Sequence, residues 1–285
     1  FPSALTLSEE YPVNELVEIS KEFLDWGQGK VEYLPQHIKL FTDGAMYSQN
    51  MVMSEGYLDG HQGAWLMRED LFRKVFREFW DENYQIHIHQ NGDAGLKLLL
   101  DVLEENIERN PREDHRTTIV HFGYSNFDQV QRIKDLGAIV SANPYYVTTL
   151  SDLYSRVGVG AKRSQEMVRL GDVDRADIPI GLHSDMPMAP ASPLLLMHSA
   201  VNRINYANEI AGPNQRISPE SALRAVTIDA AYILGLENEV GSIVKGKLAN
   251  LTILSENPMK VDPKLIKDIE VIGTISEGKY FPKHN

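Results

Sequence analysis

The sequence contains no cysteine. That removes disulfides, thiolate metal sites and cysteine nucleophiles together. It leaves the compartment open, cytoplasmic or periplasmic, because such a chain works in either redox environment. No apolar run is long enough to suggest a membrane span. Positive charge is also scarce: 28 Lys and Arg stand against 40 Asp and Glu, for a net charge of −12. Nucleic acid and anionic membrane surfaces are therefore not expected partners. A small-molecule substrate is expected, and a homo-oligomer is left open. The chain starts at Phe1 rather than Met, which leaves room for a leader or an entire N-terminal portion upstream. The rest of the composition is ordinary: 285 residues, 42% hydrophobic and 24% charged. That suits one large α/β domain with a small appendage. There is no internal repeat and no low-complexity tract.

The chain is organised around Gln85-Ile86-His87-Ile88-His89-Gln90-Asn91-Gly92-Asp93, a strand that runs into a polar turn. Its two histidines are two apart, so both point to one face. An imidazole at the carboxyl end of a strand, followed by Gly and an acid, is where a barrel enzyme keeps a metal ligand. On these residues alone, a buried pair that merely hydrogen-bonds is the competing explanation.

The first thirty residues are polar, with one helical patch from Val13 to Trp26. Gln36 to Gly44 reads as a strand ending in a turn, and Lys39 inside it needs a partner. A Gly- and Met-containing loop follows to about Trp65. It is either a substrate lid or ordinary Met gap filling. Helical spacing predicts a helix over Arg68–Asn83, and another over Ala94–Arg109 closed by Asn110-Pro111. Strands are expected at Thr117–Tyr124, Gly137–Pro144 and Ile178–Asp185. Helices are expected at Asn126–Leu136, Ser164–Leu170 and Pro193–Asn208, and from the Ser218-Pro219 cap through Leu234. Beyond Gly241 the pattern becomes short strands, at Gly-Ser-Ile-Val, Ala-Asn-Leu-Thr-Ile-Leu and Ile-Glu-Val-Ile-Gly-Thr-Ile.

Strand and helix alternate five times, as βαβ units and a parallel sheet require. Polar residues gather at the strand ends: Lys39 and Asp43, His89 and Asp93, His121, Asn143, then His183 and Asp185. A (β/α) barrel collects its active site there. A doubly wound sheet would alternate similarly without needing metal-type residues on four strands. Asp43, Asp93 and His183 read as supporting or turn residues rather than ligands. Lys39 as a solvent-reaching lysine, His121 as a core histidine and Asp185 as a helix cap are the plainer alternatives.

The set Lys39, His89, His121 and Asp185 resembles the amidohydrolase superfamily, in the branch that includes N-substituted formamide deformylases. The matched pieces run from about His37 to Phe281: Lys39-Leu-Phe-Thr-Asp-Gly44, His89-Gln-Asn-Gly-Asp93, Asn110-Pro-Arg-Glu-Asp-His-Arg116 leading to His121, Ser184-Asp-Met-Pro187 with Pro193-Leu194, and Gly241 to Asn250. The resemblance implies a (β/α)8 TIM barrel, of which this chain holds the C-terminal part, about strands 4–8. It also implies a catalytic region over 1–238 and part of a β-sandwich over 239–285. It implies a zinc or other divalent transition-metal centre held by Lys39, His89, His121 and Asp185, with Lys39 carboxylated from CO2. Asp185 would be the proton shuttle for hydrolysis of a non-peptide C–N bond by metal-bound hydroxide. Two departures stand out. No separate strand-one His-x-His precedes Lys39, so at most one weakly held ion and little turnover are expected of these residues. His87 and His183 also stand where relatives carry an apolar and a small residue. A non-catalytic binding or regulatory protein on this scaffold, or an inactive fragment, is the alternative function. Two geometric expectations follow: an open parallel arc with strand 37–43 at an edge, and convergence of the four site residues.

Overall fold

The computed structural model describes residues 1–27, 29 and 31–283. The chain forms two compact units: residues 1–140 with 157–160, and residues 141–156 with 161–285.

The first unit opens with two short helices, α1 (Ala4–Glu10) and α2 (Leu16–Glu22). The Ser3 side chain accepts the Thr6 N–H and starts α1. The polarity of this stretch hid α1, whose inward residues are only Ala4 and Leu7. Then strand and helix alternate: β1 (His37–Phe41), α3 (Glu69–Asp81), β2 (Gln85–Gln90), α4 (Asp93–Arg109), β3 (Thr118–His121), α5 (Phe127–Asp135) and β4 (Ile139–Ala142). β2 pairs in parallel with β1 and with β3, placing Phe41 beside His89 and His89 beside Val120. The other side of β1 is covered by the first residues of the chain: Lys39 N–H donates to the Pro2 carbonyl at 3.0 Å, and Ser3 forms a parallel bridge to Lys39. β1 ends the strand order, as expected, and its backbone groups are partly satisfied there.

The helices form where one face is apolar. Phe72, Val75, Phe76, Phe79 and Trp80 of α3 are fully buried, as are Leu96, Leu99, Leu100 and Leu103 of α4. α5 starts with a reciprocal capping box between Asn126 and Gln129. Arg73 of α3 reaches Glu105 of α4 at 2.6 Å, and Arg132 of α5 reaches Asp101 of α4 at 3.0 Å.

β4 begins against β3, with Ile139 N–H on the Thr117 carbonyl, and ends in the second unit, where His183 N–H donates to the Ala142 carbonyl at 2.9 Å. There β5 (Ile180–Leu182) follows α6 (Tyr145–Leu153), α7 (Ala161–Ser164) and α8 (Leu170–Arg175). It precedes α9 (Pro193–Asn202), α10 (Pro219–Ala225) and α11 (Ile228–Ile233). An antiparallel sheet of β6 (Leu251–Leu254), β7 (Val271–Ser276) and β8 (Lys279–Pro282) closes the chain. It is tied to α9 through the Asn202 amide, which donates to the Pro263 carbonyl at 2.8 Å.

Several element limits differ from expectation for identifiable reasons. The helix expected over Ser164–Leu170 is instead a turn over 165–169 between α7 and α8, because the carbonyls of Gln165, Met167 and Val168 accept from the buried Arg203 guanidinium. α9 stops at Asn202, where Arg203 adopts φ +54°. The single helix expected through Leu234 breaks at Thr227, whose hydroxyl donates back to the Leu223 carbonyl. Gly241–Val244 is not a strand, and β8 was not anticipated. The parallel strands among the described residues stay below the eight of a closed barrel. The architecture is α/β with a parallel sheet and a separate β appendage, as part of a (β/α)8 barrel would be.

Candidate metal centre

The centre begins with strand register. On β2, His87 and His89 share a face with Lys39 and Phe41 of β1 and with Thr118 and Val120 of β3. His121 registers with Gln90 and so belongs by alternation to the other face. It does not stay there. His121 takes φ +76° and Phe122 φ +53°, a left-handed conformation that side chains with a Cβ rarely adopt. The turn brings the His121 ring edge to face against the His89 ring, with centroids 4.5 Å apart. Strained backbone of this kind clusters at functional sites.

Both imidazoles are largely removed from water. Burial pushes His89 down to about 4, and the Lys39 ammonium adds to that shift. At neutral pH His89 is therefore an uncharged ring with a lone pair, the form a metal requires. Its Nε2 accepts from the Asn91 amide at 3.0 Å and the ring donates to the backbone of Gly44 and Asp43, so an ion at Nε2 would displace the amide. Asn91 is fully buried, yet its Oδ1 has no hydrogen-bond partner. An orphaned acceptor beside a neutral histidine is a place for a water or an ion. Lys39 stands in the same unit with its Nζ 5.8 Å from the centre of the Phe41 ring.

His87 is engaged elsewhere. Its Nε2 lies 2.9 Å from His37 Nδ1, and Phe1 stacks on it at 4.3 Å. Burial pushes His37 to about 4 and holds His87 well below its ordinary value. His37 as the partner of His87 was not foreseen, because residues fifty apart meet only through parallel register.

Asp43 is fully buried at the end of β1 and is a hub. Its Oδ1 accepts from Asn91 N–H at 3.0 Å and from the Thr42 hydroxyl at 2.9 Å. Its Oδ2 accepts from Val52 N–H at 2.8 Å and Gly92 N–H at 2.7 Å. Burial still lifts its carboxyl to about 6 against these four donors. Asp93, at the start of α4, accepts from the Ser54 N–H and hydroxyl. The 45–66 loop is thus pinned at both carboxylates, and Met46, Met51 and Met53 are buried filling beneath it. Trp65 stays half exposed.

In the second unit, Asp185 is exposed at the end of the β5 segment with φ +53°, and its carbonyl accepts from Met188 N–H. His183 Nδ1 lies 2.9 Å from the Ser141 hydroxyl, and the buried Asn143 amide donates to the Ser184 carbonyl at 3.2 Å. The structure brings His89 and His121 together, with Lys39 on the strand beside them; Asp185 is described within its own unit. Among the described residues, no three His, Asp or Glu side chains stand grouped to hold an ion.

The pattern of the amidohydrolase family matches residues 4–281. The chain belongs to the amidohydrolase family. This amidohydrolase-family chain is 29% identical over 244 residues to N-substituted formamide deformylase of Arthrobacter pascens, across 85% of the chain and 44% of that relative. It is also 29% identical, over 248 residues, to Protein LONG AFTER FAR-RED 3 of Arabidopsis thaliana, across 85% of the chain and 42% of that protein. A solved uncharacterized metal-dependent hydrolase from Pyrococcus furiosus is similar in structure, with TM-score 0.66 and 27% identity, across 82% of this chain and 47% of that one. The chain spans about half the length of the relatives it matches.

Proposed function

We propose that this amidohydrolase-family chain carries part of the active site of a metal-dependent hydrolase of a non-peptide C–N bond in a small amide-like substrate. The observation that supports it most is the His89–His121 pair, two adjacent imidazoles assembled by a strained turn at His121. The residues fit one divalent ion, zinc or a neighbour in its series, held by those two rings. Lys39 joins as an oxygen donor if CO2 converts its ammonium to a carbamate, which also removes a cation from beside His89. Bound there, an ion supplies Lewis acidity and an acidified water. The chain's own part is to hold both rings fixed, His89 as a neutral imidazole, and to move a proton through the Asp185 carboxylate from the attacking water to the leaving nitrogen. The division into a catalytic 1–238 and an appended 239–285 belongs to the same proposal, supported by the change from parallel to antiparallel pairing.

The grouping of only two imidazoles among the described residues favours a second reading, a non-catalytic binding or regulatory protein on the same scaffold. Hydrolysis of a panel of N-formyl and N-acyl amines by the longest natural form of the protein separates the two. The first reading predicts turnover that chelator abolishes and zinc restores, and that Asp185→Asn lowers about a hundredfold or more. Zinc binding without turnover of any amide supports the second.

A further inference from the structure

The Asp43 carboxylate lies where three pieces of the first unit meet: the end of β1, the 45–66 loop through Val52, and the β2–α4 turn through Asn91 and Gly92. The chain leaves room for it. A Cβ on Gly95 would come within 2.7 Å of Asp43 Oδ1, and one on Gly92 within 2.7 Å of Oδ2. The two glycines therefore let the turn close over the carboxylate. Closure fixes the backbone of Asn91, and with it the Asn91 side chain, whose Nδ2 reaches both the Gly44 carbonyl at 3.2 Å and His89 Nε2 at 3.0 Å. Asp43 also presents its own backbone to the His89 ring. Every contact that orients His89 from this turn thus passes through Asp43 or through residues Asp43 holds.

We propose that Asp43 is the positioning residue of the His89 centre, acting through the Asn91 amide. It sets the ring orientation and tautomer of His89 and ties that setting to the order of the 45–66 loop. The proposal rests on the metal reading only for its effect on affinity; the setting of His89 exists without an ion. A buried carboxylate bonded to backbone donors on several segments suits this role, because it fixes the amide from which His89 Nε2 accepts, and a donor on Nε2 holds the ring's proton on the other nitrogen.

The test compares the 285-residue chain with Asp43→Asn and Asn91→Leu. Asn91→Leu keeps the backbone donors to Asp43 and removes only the amide, so it stays informative if Asp43→Asn fails to fold. Three readouts are taken: nitrogen shifts of the His89 ring, hydrogen exchange at Val52, Asn91 and Gly92, and zinc affinity. Asp43→Asn is expected to speed exchange at all three amides and to mix the His89 tautomers. Asn91→Leu is expected to alter the His89 tautomer and, because it frees the Nε2 lone pair, to bind zinc at least as tightly, while Val52 stays protected. Unchanged His89 shifts in Asn91→Leu would overturn the proposal, and so would unchanged shifts in a folded Asp43→Asn. If the unsubstituted chain binds no zinc, the metal reading fails, and the His89 shifts alone still decide the role of Asp43.

Discussion

His89 and His121 meet edge to face at 4.5 Å although their strand register assigns them to opposite faces of the sheet. The left-handed turn at His121 is what brings them together, and it has a cost that can be measured. A side chain with a Cβ loses roughly 1–2 kcal/mol in that conformation, and glycine does not. His121→Gly should therefore be more stable to denaturant than His121→Ala by about 1 kcal/mol, with both losing the second imidazole. Equal stabilities would mean that the turn is unstrained.

The closeness of Gly92 to its neighbours predicts a larger effect. A Cβ there would sit 2.0 Å from the Val52 carbonyl oxygen, whereas one on Gly60 meets nothing within 4 Å. Gly92→Ala should lose about 3 kcal/mol or more, or fail to fold, as overpacked cores do. Gly60→Ala should lose only about 1 kcal/mol for its φ of +84°. Urea denaturation of the two variants checks the contrast.

Arg203 of the second unit is almost wholly buried and donates to the carbonyls of Ala211, Val168, Met167 and Gln165. Burial pushes its guanidinium down to about 9, with Arg169 and Arg216 adding to the shift. Arg203→Met leaves those carbonyls without donors, at about 1–3 kcal/mol for each one that water cannot reach. The expected loss is about 3 kcal/mol or more, and Arg203→Lys should recover little of it, because an ammonium lacks the planar fork. A drop below 1 kcal/mol in chemical denaturation would show that water replaces the guanidinium.

Acid should destabilise the metal-free chain. His37 and His89 are held near 4 and His87 well below its ordinary value, so each binds its proton in the unfolded chain before the folded one. Their stability is full above about pH 6.5 and is lost as pH falls towards 4. Asp43 has the opposite sign: its folded value near 6 gives stability below its unfolded value that is lost as pH rises through 6. Near pH 5 three imidazoles oppose one carboxyl, so unfolding should take up roughly two protons net. Denaturation midpoints measured from pH 4.5 to 7 should rise with pH. A flat or falling profile would contradict the burial of these rings.

Much of this was legible in the residues. Helical spacing marked α3 and α4 to within a residue or two, because their buried stripes are long and strongly apolar. His89 and His121 were legible as strand-end histidines, whereas Lys39 lies in the middle of β1. What was not legible depended on meetings across the chain. The break at Thr227 and the turn over residues 165–169 follow from bonds to Leu223 and Arg203 that no local pattern announces. The His87–His37 contact needs strand register. Asp43 was visible as an Asp-Gly turn signal, and the turn chemistry hid its second use as acceptor for two other segments. Asn91 stood within the matched piece His89-Gln-Asn-Gly-Asp93, but nothing in that run marked its amide as a partner of the His89 ring.

The central claim is that His89 and His121 together hold a divalent ion. Zinc titration followed calorimetrically, on the unsubstituted chain, His89→Ala and His121→Ala, tests it most directly. The account predicts about one zinc per chain at neutral pH, with affinity falling at least about tenfold in each variant, because the proposal makes both imidazoles ligands of one ion. Unchanged binding in either variant, or no binding by the unsubstituted chain at millimolar zinc, would contradict it.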